Sequence, residues 1–317
     1  MKKNIILLII CTAFFFVQAA TIKGSSPGKE KLGELLFSDP ILSEDSTISC
    51  AGCHIPKYAF ADTSSISIGI NKKKGIRNTP TAMNLLLAKS FFWDGRAKTL
   101  EEQALAPIEN PDEMNLPVEE ALLRLKRSDR YRPLFFSVFN NEPTSKNLGE
   151  AIAAFERSLE TSNSPFDNWK FSDDPDAVSA AVKRGFIIFN EKGRCIKCHF
   201  GADFTANEFR NIGLFNSKNF NDSGRYIITR RAEDIGRFKT PSLRNIAVTA
   251  PYMHNGKFAT LDEVIDFYND TKKVVPDAAN TDSLLTQPLN LTNQEKDDLK
   301  AFLVSLTDKR FSTGMHN

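Results

Sequence analysis

The sequence predicts a mainly α-helical protein built as two halves, and three features predict it. A Cys-x-x-Cys-His pentapeptide occurs twice, at Cys50–His54 and Cys195–His199, 145 positions apart, so each half can be organised around its own copy. Three segments, Thr99-x-x-Glu102, Thr260-x-x-Glu263 and Thr292-x-x-Glu295, have the capping-box form that opens helices. Apolar residues recur at helical spacing in Leu148, Ile152, Phe155 and Leu159, and again in Leu299, Phe302, Leu303 and Leu306, whereas strand-type alternation is scarce. With 317 residues, 41% apolar and 25% charged, the chain has a globular composition and the length of two domains. The excess of Phe, 25 copies against five Tyr and two Trp, suggests cores that line something large and flat.

From the start of the chain, Lys2 and Lys3 precede an apolar run from Ile5 to Val17, interrupted by Cys11 and Thr12, which ends in Ala19-Ala20. This is the three-part pattern of a secretory signal peptide, with an apolar run too short to cross about 30 Å of hydrocarbon. The expectation is an exported, periplasmic protein from which residues 1–20 are removed and which has no membrane span. Lys plus Arg number 41 against 39 Asp plus Glu, and losing Lys2 and Lys3 leaves the mature chain neutral. No net field recruits nucleic acid or an acidic membrane. There is no Walker loop, HExxH or dinucleotide fingerprint, and no tandem repeat is evident beyond the two pentapeptides. Ser162 to Asp176, rich in Ser, Asp and Pro, reads as the linker between an N-terminal domain, 21–165, and a C-terminal domain, 166–317. A helix from about Ala177 to Asn190 then delivers the second pentapeptide.

With Cys11 removed, all four remaining cysteines lie in the pentapeptides. Four cysteines in an oxidising compartment would ordinarily form two disulfides, but Cys-x-x-Cys-His is the attachment signal for c-type haem. Two thiols add to the two vinyl groups on one porphyrin edge, and the adjacent His binds iron from the proximal face. The sequence therefore calls for two covalently bound haem c groups, one on Cys50, Cys53 and His54, the other on Cys195, Cys198 and His199. Zinc would need four ligands converging on one ion, and dithiol redox chemistry leaves both histidines unexplained. Only His254 and His316 remain, the latter in a short polar tail, so two bis-histidine haems are not expected. At least one iron faces Met, Tyr, water or nothing, and an open position is what peroxide or oxygen chemistry requires.

Further segments carry a family resemblance: Leu32-Gly33-x-x-Leu36-Phe37, Phe91-Phe92-Trp93-Asp94-Gly95-Arg96, Glu102-Gln103-Ala104, Asn110-Pro111-x-Glu113-Met114, and Thr249-Ala250-Pro251-Tyr252-Met253-His254-Asn255-Gly256. With the haem-motif spacing, they resemble the bacterial di-haem cytochrome c peroxidases and their MauG-type relatives over nearly all the mature chain. The resemblance implies two cytochrome c-like helical domains, with a peroxidatic haem on His54 and an electron-transfer haem on His199. It implies Gln103 and Glu113 as catalytic residues on the distal side of the first haem, and Trp93 as a relay between the haems. Peroxide must lose a proton to bind and regain protons on the departing oxygen, work that suits a desolvated Glu of raised pKa. Gln103 can orient peroxide without adding charge. Classical members often hold a His in the segment matching Ser67-Ile68-Gly69-Ile70, where it blocks the peroxidatic iron until the partner haem is reduced. Ile70 stands at the matching position and cannot ligate iron, so the first haem is expected to be open without reductive activation. Lys72-Lys73-Lys74 reads as a solvated face, with docking of an acidic donor the lesser alternative.

Opposite His199 there are two contenders. The resemblance aligns Tyr268 with a position that is Met in classical members and Tyr in MauG-type proteins, and Leu261, Val264, Ile265 and Tyr268 share one helical face. Met253 is the alternative, since thioether is an ordinary partner for an electron-transfer haem. The resemblance also implies one calcium ion held by oxygens of Asn78, Thr249 and Pro251, against the plainer reading of Asn78 and Pro80 as a turn; homodimers are common in the family. The expected function is reduction of hydrogen peroxide to water with electrons from a small c-type cytochrome or cupredoxin. The alternatives are a MauG-type oxidase acting on a protein or other bulky substrate, and a di-haem electron carrier without catalysis.

Overall fold

The structure is a computed structural model that describes residues 27–312; the signal-peptide reading of residues 1–20 and His316 lie outside them. Among the described residues the α-helices are α1 (Pro27–Ser38), α2 (Cys50–Cys53), α3 (Leu100–Glu109), α4 (Val118–Arg127), α5 (Tyr131–Phe139), α6 (Ser145–Ser158), α7 (Pro165–Phe171), α8 (Ala180–Asn190), α9 (Tyr226–Thr229), α10 (Leu261–Asn269), α11 (Asn293–Val304) and α12 (Lys309–Ser312). Two short strands, β1 (Phe209–Arg210) and β2 (Phe238–Lys239), pair antiparallel. No described helix is long and apolar enough to cross a membrane.

The helix starts follow from the sequence. Thr99, Thr260 and Thr292 accept hydrogen bonds from the backbone N–H of Glu102, Glu263 and Glu295, whose side chains reach back to the cap. The same chemistry recurs at Thr144 with Asn147 and at Ser164 with Asp167. The last of these corrects the reading of 162–176 as a linker in part: Ser164, Pro165 and Asp167 are a helix start, Phe166 of the resulting α7 is buried in a hydrophobic core, and residues 172–176 follow the helix as turn and coil. The helix expected from Ala177 begins at Ala180, after a cap at Ser179.

Two cores form. One gathers Leu32, Leu36, Phe37, Ile108, Phe135 and Ile152; the other gathers Phe166, Phe189, Phe204, Leu261, Phe267 and Phe302. In the first, α1 crosses α6 so closely that a Cβ on Gly33 would lie 1.9 Å from the Ala151 carbonyl oxygen and 2.8 Å from the Phe155 Cβ. In the second, a Cβ on Gly185 of α8 would lie 1.9 Å from the Asp298 carbonyl oxygen and 2.8 Å from the Phe302 Cβ of α11. Glycine is required at both crossings because nothing larger fits.

That shared geometry overturns the expectation of no repeat beyond the pentapeptides, since the segments around each pentapeptide recur at low identity, although α4 and α5 have no counterpart between α10 and α11. Gly33-x-x-Leu36-Phe37 matches Gly185-x-x-Ile188-Phe189, and Thr79-Pro80-x-x-x-Asn84 matches Thr240-Pro241-x-x-x-Asn245. Gly95-x-x-x-Thr99-Leu100-x-Glu102 matches Gly256-x-x-x-Thr260-Leu261-x-Glu263, and Ala154-Phe155-x-x-Ser158-Leu159 matches Ala301-Phe302-x-x-Ser305-Leu306. The backbone repeats too. Phe92 and Met253 both adopt left-handed φ, 63° and 75°, inside matching bridges Phe91–Ala97 and Tyr252–Phe258. The copies meet at Thr161, whose hydroxyl donates to Asn84 Oδ1 at 2.7 Å and accepts from Asn245 Nδ2 at 3.0 Å.

The phenylalanines serve both uses: Phe37, Phe91, Phe92, Phe189 and Phe238 line two cavities, and others fill helix interfaces. Phe166, Phe186, Phe189, Phe204 and Phe302 pack edge-on or tilted, with centroids 4.9 to 6.1 Å apart in their contacts. Of these five, only Phe189 lines a cavity.

Candidate active site: two cavities sharing one wall

Each pentapeptide opens onto a cavity, of about 530 Å³ for the first copy and about 200 Å³ for the second. In the first, α2 is a single turn carrying Cys50 and Cys53, and His54 closes it by donating its backbone N–H to the Cys50 carbonyl at 2.8 Å. The His54 Nδ1 bonds the Phe60 carbonyl at 3.0 Å, and the His199 Nδ1 bonds the Phe204 carbonyl at 2.9 Å. These bonds assign the ring proton to Nδ1 and leave the Nε2 lone pair for a metal. Burial disfavours the charged imidazole, lowering His54 from its ordinary value and His199 to about 4, so both rings are neutral donors at physiological pH. The thiols are equally constrained. Burial pushes Cys50 and Cys195 up to about 12 and Cys53 to about 11, the opposite of what zinc or dithiol redox chemistry requires.

Gln103 and Pro107 of α3 and Glu113 of the following loop all line the first cavity. Burial raises the Glu113 carboxyl, opposed chiefly by a 2.7 Å hydrogen bond from Asn110 Nδ2. Ile70 is buried, with its backbone N–H donated to the Glu113 carbonyl at 2.8 Å, while Ser67 and Gly69 of the same segment line the cavity in its place. Lys72, Lys73 and Lys74 are exposed.

Tyr268 and Met253 both line the second cavity. Tyr268 projects from α10 with Leu261, Val264 and Ile265, and its phenol is pushed well above its usual range by burial, with the Cys198 and Cys195 thiols adding to the effect. In the duplicated frame Tyr268 occupies the position of Pro107, and Met253 that of Phe92.

A common wall separates the cavities. Trp93, Asn78, Thr79, Pro80, Lys239 and Pro241 line both sides. The indole N–H of Trp93 donates to the Asn78 carbonyl at 2.8 Å, and the Trp93 carbonyl accepts from the Lys239 N–H, also at 2.8 Å. His254, the counterpart of Trp93, is buried against Phe238 with ring centroids 3.6 Å apart and lies 6.5 Å from the Trp93 ring. Beneath it Arg77 bridges Asp94 at 2.6 Å and Asp222 at 2.7 Å, tying the two halves through buried charge. Asn78, Thr249 and Pro251 all border the second cavity. The Asn78 amide donates to the Ser64 carbonyl at 3.0 Å. Among the described residues no group of three or more His, Cys, Asp or Glu is placed to hold a metal ion.

The profile of the di-haem cytochrome c peroxidase family matches residues 27–175. The methylamine utilization protein MauG of Methylorubrum extorquens is 38% identical over 285 residues, which covers 89% of this chain and 78% of that protein. The chain belongs to the di-haem cytochrome c peroxidase and MauG family. The cytochrome c peroxidase of Escherichia coli is 39% identical over 243 residues, 75% of this chain and 52% of that protein. Among solved structures, a MauG-like protein associated with microbial copper homeostasis matches with a TM-score of 0.83 at 32% identity, covering 92% of this chain and 94% of that one.

The family carries two c-type haems, and the residues present fit them. Each cavity brings two thiols and a neutral imidazole to one side. Lys239 adds a further fit. Its ammonium donates to the Ser90 carbonyl at 2.7 Å, has no carboxylate partner among the described residues, and is lowered to about 8 by burial. A cation in that position would pair with a haem propionate. Sequence reasoning missed Lys239, and it missed Glu156, a buried carboxyl on α6 that lines the first cavity. Glu156 was legible in principle, because it falls on the Leu148–Ile152 stripe, where an acid is out of place.

Proposed function

We propose that this protein is a periplasmic di-haem cytochrome c peroxidase, reducing hydrogen peroxide to water with electrons from a small c-type cytochrome or cupredoxin. The observation that carries the proposal is the asymmetry of the duplication. At one helix position the first cavity has Pro107 and the second has Tyr268. Proline offers iron nothing, so the first cavity is left open to a small substrate such as peroxide, whereas the phenol of the second can ligate.

Bound on His54, haem supplies the Lewis-acid and one-electron chemistry that peroxide reduction needs. Glu113 takes the proton that peroxide loses on binding and returns it to the departing oxygen. Its bond from Asn110 keeps one carboxylate oxygen oriented, and Gln103 orients the peroxide. Electrons enter at the His199 half and cross at Trp93, whose indole is fixed by its bond to Asn78. We favour Tyr268 over Met253 as the second haem's ligand: it stands on a regular helix facing the Cys195 and Cys198 side, whereas Met253 sits in a left-handed turn equivalent to Phe92. The same proposal divides the chain into haem domains at 21–165 and 166–317, removes residues 1–20 on export, and assigns one calcium ion to oxygens of Asn78, Thr249 and Pro251.

The test is peroxide-dependent oxidation of a reduced small cytochrome c, started with all-ferric holoprotein. Immediate turnover is expected. Silence relieved by pre-reduction would refute the open first site and retain the peroxidase. Silence under both conditions would move the assignment to a MauG-type oxidase, which Tyr268 and the MauG relative favour, or to an electron carrier.

A further inference from the structure

We infer that Glu156 is a redox-linked proton site of the first cavity: it takes up a proton when the haem on His54 gains an electron, and in peroxide reduction it delivers that proton. The second clause rests on the peroxidase proposal; the first does not.

Glu156 lies on α6 one turn beyond Ile152, and both line the first cavity. Only 4% of the residue is exposed, and its Oε2 has no hydrogen-bond partner among the described residues. Native proteins leave few buried polar atoms in that condition. Among the described residues no cation forms an ion pair with it. Arg157, its neighbour in sequence, turns away to Glu101 in a two-bond pair at 2.7 and 2.9 Å. On the α1 side, Lys29 is taken by Glu150. Within the cavity the Cys50 thiol is close enough to be influenced by Glu156, but it becomes an uncharged thioether once haem is attached. Glu113 and His54 line the same space, one an acid and the other a neutral ligand. Left without a cation, the carboxyl is pushed up to about 8, chiefly by burial.

The duplication indicates that the fold does not need an acid here. Phe155 and Phe302 are equivalent, each packed under its crossing glycine, so the counterpart of Glu156 is Leu303. Leu303 is 8% exposed and lines the second cavity. The same position in the same packing thus holds leucine where electrons only pass, and a carboxyl where a substrate is proposed to react.

Proton balance gives that carboxyl a task. In H2O2 + 2 e− + 2 H+ → 2 H2O the O–O bond breaks, two O–H bonds form, and the donor cytochrome supplies both electrons. Glu113 moves a proton from one peroxide oxygen to the other and contributes no net proton. Two protons must therefore enter from outside, and Glu156 supplies one, refilled from solvent. An added electron lowers the positive charge beside Glu156 and raises its affinity for a proton.

The experiment is a redox titration of the holoprotein from pH 6 to 9 without peroxide, on wild type, Glu156→Gln and Glu156→Leu. In wild type the first haem's midpoint potential is expected to fall by about 59 mV per pH unit, the one-electron equivalent of a tenfold change, across the window where reduction protonates Glu156. Both variants should flatten that slope and leave the second haem's titration unchanged. Leu303 indicates that the leucine variant can pack. Infrared difference spectra of reduced minus oxidised wild type should contain a carboxylic C=O band that both variants lose. A wild-type potential without pH dependence, or a slope that survives in both variants, overturns the inference. A flattened slope in a protein that never turns over peroxide supports the proton site and refutes the peroxidase instead.

Discussion

Replacing Glu113 with Gln removes an acid while keeping its shape, which isolates proton transfer from packing. Asn110 Nδ2 donates to the Glu113 side chain at 2.7 Å, and an amide oxygen in Glu113→Gln can accept the same bond. The backbone contact is also retained, since Ile70 donates to the Glu113 carbonyl rather than to its side chain. What disappears is a carboxyl whose pKa burial has raised toward the working pH. A positioned acid or base is worth about 10²- to 10⁴-fold, so kcat/KM for peroxide should fall by that factor, about 3 to 5 kcal/mol of transition-state stabilisation. The pH profile gives a second signature. As the base that accepts peroxide's proton, Glu113 must be ionised, so wild-type turnover falls on the acid side of its raised pKa, and the variant should lose that limb. Steady-state oxidation of reduced cytochrome c between pH 5 and 8 measures both. Turnover within threefold of wild type, with the acid limb retained, would refute the proton-transfer role.

Tyr268→Met should leave both haems covalently attached and change the spectrum of the second alone, raising its potential because thioether stabilises ferrous iron relative to phenolate; a spectrum identical to wild type would point to Met253 or to no protein ligand. Arg244→Met removes a buried guanidinium that bonds Asp167 at 3.0 and 3.1 Å and should cost about 3 to 5 kcal/mol in chemical denaturation at pH 7. Although burial alone would raise Asp167, Arg244 and Ser164 hold it below the ordinary carboxylate value, so in wild type its contribution is present above the unfolded pKa and lost as pH falls through the folded one. In the variant the sign reverses, because protonating an unpaired Asp167 relieves a buried charge, and the gap to wild type should narrow in acid. Gly185→Ala would force a Cβ to 1.9 Å from the Asp298 carbonyl oxygen and should lower stability by about 1 to 3 kcal/mol, read as a lower denaturation midpoint; no change would mean that α8 and α11 separate freely.

What could be read from the sequence was chemistry carried by residue type at fixed local spacing. Cys50-x-x-Cys53-His54, its second copy and the Thr-x-x-Glu caps are short-range patterns whose physics is complete within five residues, and the structure places them as helix turns and helix starts. Ser162–Asp176 misled because Ser, Pro and Asp serve linkers and N-caps alike, and only the burial of Phe166 separates the two. Lys239 carried no local signal at all, since its significance lies in being a cation without a carboxylate partner among the described residues, a fact about three-dimensional neighbours.

The duplication escaped for a different reason, and it is the feature that makes the two cavities comparable. These crossings need a glycine and a cap needs a small side chain with an accepting oxygen, but the residues between are free to drift, so the copies kept their packing contacts and lost their identity. Where packing is conserved, a difference in chemistry is informative. Phe37 and Phe189, or Ile152 and Leu299, are like for like on the two cavity walls, whereas Gln103 faces Val264, Pro107 faces Tyr268 and Glu156 faces Leu303 as counterparts. In two of the three exchanges the first cavity holds a polar or proton-bearing group where the second is apolar; in the third the first holds a proline where the second holds a phenol, the ligand in the proposed function. One scaffold used twice for the same task has no physical reason to diverge in that pattern. A scaffold divided between a cavity that must admit a small polar substrate with its protons and a cavity that must exclude both does.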